Sequence, residues 1–104
     1  MDLMLRALAD GTRRRIIALT WREELTAGQI ASQFTMTRPA ISQHLAVLQE
    51  SELVTVRRDS TRRLYRANRQ AIARLRSELA TLWDTHLPML KDAAEAAARK
   101  ERRR

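Results

Sequence analysis

The chain has 104 residues and carries 20 lysines and arginines against 12 acidic residues, a formal net charge of +8. That length fits one domain with a modest core, which dimerisation would help to stabilise, and the charge favours a polyanionic partner, nucleic acid ahead of an anionic membrane. With no cysteine, disulfides, thiolate metal sites and thiol redox chemistry are excluded, and no apolar run reaches the roughly 18 residues of a membrane span.

Met1-Asp2-Leu3-Met4 lacks the basic-then-apolar pattern of a secretory leader, so the cytoplasm is the expected location. Residues 3–9 read as a short apolar helix, interrupted at Asp10-Gly11-Thr12, where either Asp10 or Thr12 can cap the next. Over residues 13–21, Ile16, Ile17, Ala18 and Leu19 give an apolar face behind a basic start at Arg13-Arg14-Arg15. A third helix opens at Thr26 and runs to about 33, with Ile30, Ala31 and Phe34 inward. The link Phe34-Thr35-Met36 is expected to span three residues. Thr35 occupies the turn position where glycine is frequent, so it either carries strain or the turn adopts another conformation.

Thr37 is the expected cap of a fourth helix over 38–51, with Pro39 in its first turn and Ile41, Leu45 and Leu48 as its buried stripe, supported by Val47. After Glu52 the period changes. Leu53–Arg58 and Arg62–Ala67 read as two strands joined by Asp59-Ser60-Thr61, a hairpin with a basic tip. From about residue 69 a long helical period returns through Ile72, Leu75, Leu79, Leu82, His86 and Leu90, and Pro88 should kink or break it near His86-Leu87. Residues 99–104 form a basic run expected to fray, usable for phosphate contacts or for solubility alone. Residues 1–98 are thus one domain and 99–104 a tail. The expected fold is mainly α with one β-hairpin, in the order α-α-α-α-β-β-α.

The third and fourth helices fit a helix-turn-helix, whose second helix projects its N-terminal residues into the DNA major groove. Arg38, Ser42, Gln43 and His44 would read base edges there, and Pro39 and Ala40 would touch thymine methyls. Thr37 and the helix start would hold a phosphate. The same spacing also fits an ordinary helical hairpin with a polar solvent face. The hairpin favours DNA: Arg57, Arg58, Arg62, Arg63 and Arg66 face only Asp59, more positive charge than edge-strand protection requires. A protruding basic ribbon of that kind is a wing that grips the backbone or minor groove.

Three stretches resemble a known family. Ala7-Leu8-Ala9-Asp10-Gly11-Thr12-Arg13-Arg14-Arg15-Ile16-Ile17 looks like the opening of ArsR-type winged-helix repressors. Arg38-Pro39-Ala40-Ile41-Ser42-Gln43-His44-Leu45-Ala46-Val47-Leu48 looks like their recognition helix, and Arg62-Arg63-Leu64-Tyr65-Arg66 like their second wing strand. The resemblance covers roughly residues 5–90. It implies a homodimer built from the first and last helices, through Leu3, Leu5, Leu8, Leu75, Leu79, Leu82, Trp83, His86 and Leu90. It implies in turn a palindromic operator in double-stranded DNA and repression, often of the protein's own operon. Family metal sites do not carry over. The third helix has no cysteine, and Asp84-Thr85-His86 matches half of another site whose remaining ligands would fall near Ala97 and Lys100. No metal and no cofactor is expected, and the effector is not named by the sequence.

Catalysis is not expected. Ser42 and His44 point away from each other on one helix, the carboxylates are scattered, and no glycine-rich phosphate loop is present. The other readings are a non-specific architectural DNA binder and a protein-interaction module. Trp21 and Trp83 read as core or dimer contacts, and the methionines as fillers.

Overall fold

The computed structural model describes residues 1–102. In chain order it contains α1 (Asp2–Leu8), α2 (Gly11–Leu19), β1 (Leu25–Thr26), α3 (Ala27–Ala31), α4 (Arg38–Glu50), β2 (Val54–Asp59), β3 (Arg62–Ala67) and α5 (Arg69–Arg102). The chain forms two compact units, Met1–Ala73 and the remainder of α5 from Arg74 onward. Among the described residues, no helix is long and apolar enough to cross a membrane.

The first unit holds one core. Ile16, Ile30, Ile41, Leu48 and Leu53 are fully buried and Ala7, Leu45 and Val54 nearly so. Met4, Leu8, Trp21 and Phe34 pack against this cluster part-exposed. The expected Ala18 and Val47 contributions are absent, since both are exposed. Ile41, Leu45 and Leu48 already fill the inward face of α4, and Val47 lies off that stripe.

The helix boundaries follow from side-chain caps. Asp10 accepts from the Arg13 backbone N–H and so caps α2, resolving the choice between Asp10 and Thr12. Thr26 and Gln29 form a reciprocal capping box at the start of α3. Thr37 accepts from the Ala40 N–H, with Pro39 in the first turn of α4 as its missing donor permits. Helix α4 ends in a Schellman turn: Leu53 N–H donates to Leu48 O at 2.9 Å and Glu52 N–H to Gln49 O at 3.1 Å. Glu52 therefore has φ 64°, in the left-handed region where a Cβ is unfavourable. Asn68 joins this turn to the start of α5. Its Nδ2 donates to Glu52 O, its backbone N–H to Leu53 O, and its Oδ1 accepts from Ala71 N–H.

Three expectations are corrected here. The link between α3 and α4 covers residues 32–37 rather than three residues. Helix α3 stops at Ala31, and the Ser32, Gln33 and Phe34 N–H groups turn back onto Gly28, Ile30 and Ala31 carbonyls. Thr35 has no positive φ, so the turn uses another conformation and the residue carries no left-handed strain. Pro88 does not break α5. The proline removes one backbone bond, but Asp84 and Pro88 are both exposed, so solvent can satisfy the freed carbonyl, and strong helix formers flank the site. The helix also continues through Arg99–Arg102, where a fraying tail is expected; residues 103 and 104 lie outside the described residues.

The hairpin is bordered by a third strand. The sheet order is β1-β3-β2, antiparallel throughout, with Leu25 opposite Tyr65 and Thr26 opposite Leu64. In the hairpin Val54 faces Ala67, Val56 faces Tyr65 and Asp59 faces Arg62. The turn is therefore Ser60-Thr61 alone, and Ser60 adopts φ 59° to make it.

Truncating the centre of this arrangement should be costly. Leu48→Ala is expected to lower unfolding free energy by roughly 2–5 kcal/mol in urea denaturation. Glu52→Gly, which relieves the left-handed strain, is expected to raise it by about 0.5–1 kcal/mol.

Candidate nucleic-acid interface

Burial of Ile41, Leu45 and Leu48 sets the rotation of α4 about its own axis. The opposite face then carries Pro39, Ser42, Gln43 and Ala46 at helical spacing, all exposed. Ala40 and His44 stand at the edges of this face, half-buried. Of the six expected base-reading residues, Pro39, Ser42 and Gln43 lie openly on it.

His44 is tied back into the fold. Its Nδ1 lies 3.4 Å from Arg13 Nη1. Arginine only donates, so this contact selects the tautomer with Nδ1 as acceptor and the proton on Nε2. Arg13 also donates from Nε to Ala7 O at 2.6 Å and from Nη2 to Arg6 O at 3.2 Å, and Arg14 donates to Leu8 O at 2.8 Å. The two arginines thus hold the last carbonyls of α1, where cations are favoured by orphan acceptors and the helix dipole. Arg15 lies over the Phe34 ring, 4.5 Å from its centroid.

Arg38 begins α4 but lies across α3. A Cβ placed on Gly28 would stand 3.5 Å from Arg38 Nη1 and 3.8 Å from Nη2. The guanidinium borders a cleft of about 450 Å³ lined by Thr26, Ala27, Gly28 and Arg38 on the helical side and by Thr61, Arg62, Arg63 and Tyr65 on the hairpin.

The five wing arginines have different surroundings. Arg57 pairs with Glu24 at 3.0 Å and Arg62 with Asp59 at 2.8 Å, so part of their charge is already answered within the fold. Arg66 is half-buried. Arg58 and Arg63 are cross-strand partners on the face that carries Val54, Val56, Tyr65 and Ala67 inward nearer the core. Both are exposed, and neither forms an ion pair among the described residues. Like charges directly opposite each other destabilise a hairpin, and an anion between them reverses that sign.

The residues implied as a dimer surface divide by exposure. Leu3 is 65% exposed and Leu5 is 38% exposed on α1, while Leu8 packs against the core. On α5, Leu75 is buried and Leu79 half-buried. Leu82, Trp83 and Leu90 are 43%, 59% and 58% exposed, and His86 is exposed with them. Asp84 shares that helix with His86, and among the described residues no three histidine, aspartate or glutamate side chains gather as a metal site requires. Sequence reasoning missed the tethering role of Arg13 and Arg14 and the bed that Gly28 provides for Arg38. A run of arginines just after a short helix is a signal for the first; nothing local marks the second.

Residues 8–57 match a helix-turn-helix domain model. The chain is 42% identical over 82 residues to the HTH-type transcriptional regulator Rv2034 of Mycobacterium tuberculosis, covering 79% of this chain and 77% of the relative. Among solved structures it is similar to a possible transcriptional regulator for arsenical resistance. That match has 40% identity and a TM-score of 0.70, over 88% of this chain and 96% of the other. It is also similar to the homodimeric winged helix-turn-helix DNA-binding domain of a possible ArsR-family regulator of Mycobacterium bovis. There the identity is 32% and the TM-score 0.65, over 83% of this chain and 80% of the other.

The capping bond from the Arg13 N–H holds the Asp10 carboxyl below its ordinary value, aided by the Arg13 charge and the Thr12 backbone N–H against the opposing effect of desolvation. A lowered folded-state pKa stabilises the fold above the ordinary value and is lost as pH falls through the lowered one. The thermal midpoint of the wild type should therefore drop as pH is taken below about 3.8. Asp10→Asn, which keeps a capping oxygen without the charge, should show a shallower drop over the same interval in a melting series.

Proposed function

The chain belongs to the ArsR-type winged helix-turn-helix family of transcriptional regulators, and from that premise we propose that it is a homodimeric repressor that reads a palindromic operator in double-stranded DNA. The observation that carries this reading is the open Pro39–Ser42–Gln43 face of α4 together with a hairpin whose Arg58 and Arg63 form no ion pair among the described residues. Gln43 offers a bidentate amide to adenine, Ser42 a hydroxyl to either partner of a base pair, and Pro39 and Ala40 apolar contact with thymine methyls. The His44 Nε2 proton is a donor for a base or phosphate acceptor. The wing adds sequence-independent grip on the backbone. Two subunits would set their recognition helices about one DNA turn apart, roughly 34 Å, and occupation of a promoter-overlapping site excludes polymerase.

Dimerisation rests on the exposed leucines of α1 and on Leu82, Trp83 and Leu90 of α5, apolar surface that a monomer would leave in water. The M. bovis relative is described as a homodimer. No metal ligand set enters this proposal: the positions that would complete the Asp84-x-His86 half-site fall near Ala97 and Lys100, which carry no ligand atoms suited to it.

The direct test is fluorescence anisotropy on DNA from upstream of the protein's own gene, against shuffled DNA, at two salt concentrations. Preference for the native DNA that survives the higher salt supports an operator reader. Equal binding that collapses with salt favours an architectural role, and no binding favours a protein-interaction module. Gln43→Ala is expected to cost about 1–3 kcal/mol on the preferred DNA and little on the shuffled one. Trp83→Glu is expected to shift the protein toward monomer in sedimentation velocity and to weaken operator binding in parallel.

A further inference from the structure

Resting on the reading of the chain as an operator-binding regulator, we propose that the cleft between α3 and the hairpin tip is a seat for one phosphodiester of the DNA backbone, clamped by Arg38 and Arg63. This removes Arg38 from the base-reading set, where its place at the start of α4 would put it.

Three observations converge. The Arg38 guanidinium lies against Gly28 of α3, the helix that precedes α4. Its neighbours across the cleft are Thr61, Arg62 and Arg63 of the hairpin, and no carboxylate lines the space. Charge counting within the cleft then isolates two cations. Arg62 is bound to Asp59, whereas Arg38 and Arg63 have no ion-pair partner among the described residues. Two arginines on opposite sides of an open cleft, with Thr61 on the hairpin side, suit a tetrahedral anion with several acceptor oxygens. The capping box occupies the Thr26 and Gln29 side chains within α3, so the arginines supply the charge of the site. The cleft joins the hairpin to the helix-turn-helix, and a phosphate held there fixes both elements to one strand and sets the register of Ser42 and Gln43 on the bases.

Gly28 is the positioning residue. An added Cβ meets the guanidinium in ordinary van der Waals contact, so alanine is accommodated, while a longer side chain displaces Arg38 with its charge intact.

The test compares wild type, Arg38→Ala, Arg63→Ala, the double variant, Gly28→Leu and Gly28→Ala on operator and shuffled DNA over a salt series. A phosphate clamp requires each arginine variant to lose roughly tenfold in affinity on both DNAs alike, with the slope of log K against log salt reduced by about one. The double variant should lose less than the product of the two, because both side chains serve one phosphate. Gly28→Leu should reproduce Arg38→Ala, and Gly28→Ala should not. A single methylphosphonate in each half-site should abolish the effect of both arginine substitutions together. If Arg38→Ala weakens operator binding and spares shuffled DNA, Arg38 reads a base and the clamp is overturned, with the regulator reading intact. Unchanged binding of both arginine variants to both DNAs overturns it as well. Loss of preference in the wild type itself would instead strike the operator reading, and a uniform loss in the variants would still support the clamp.

Discussion

The arrangement depends first on how α4 is held. Ile41, Leu45 and Leu48 are nearly or wholly removed from water, and their one-sided burial leaves the helix a single rotational setting. Each such side chain contributes about 1.5–3 kcal/mol on burial, so rotating α4 to hide Ser42 and Gln43 would forfeit several kcal/mol at once. The axial position is fixed at both ends. Thr37 caps the start, and the Schellman turn with Leu53 buried behind it fixes the stop. That the chain accepts a left-handed Glu52 there shows how firmly the surrounding bonds determine the turn. Its carbonyl is held by Asn68, and the next residue is inserted into the core.

Electrostatics distinguishes residues that composition treats alike. Five arginines occur in the hairpin, yet Arg57 answers Glu24 and Arg62 answers Asp59. These exposed pairs contribute little to stability. Their consequence is selective: among the described residues they leave Arg58 and Arg63 without an ion pair, facing each other across the ladder. The isolated protein bears that repulsion, and a polyanion bound there would relieve it. A binding surface that is slightly unfavourable alone and favourable when neutralised gains part of its affinity from the relief of that strain.

Much of this was legible in the sequence because it is written in local signals. The caps at Asp10, Thr26 and Thr37, the buried stripe of α4 and the second hairpin strand follow from residue type and period, which reflect interactions within a few positions. What escaped is non-local or marginal. Two residues, Leu25 and Thr26, are too few for an alternating pattern, and they are a strand only because β3 lies alongside them. The end of α3 depends on where its last N–H groups turn back, a small energetic difference that no single residue announces. Pro88 constrains less than its residue type suggests: at an exposed helix position one backbone bond is lost, and water can satisfy the carbonyl it frees. The partners of Arg57 and the bed of Arg38 involve residues distant in sequence, so charge pattern alone could not separate free arginines from engaged ones.

Arg13 connects these levels. It lies one turn into α2, yet its side chain reaches the Arg6 and Ala7 carbonyls of α1 and the His44 ring of α4. A guanidinium has five donors in a rigid plane, so it can serve three acceptors on two elements without changing conformation. Because α1 is short, with no side-chain cap at its start, its placement relies on this anchor, on Arg14 and on the burial of Ala7. The exposed leucines of α1 and the edge of the recognition face are therefore referenced to the same side chain. Any force that moves α1 must either stretch the Arg13 bonds or carry His44 with it. Helix α1 also packs directly on α4, so the Arg13 bonds add a polar link to an apolar contact that already joins the two elements.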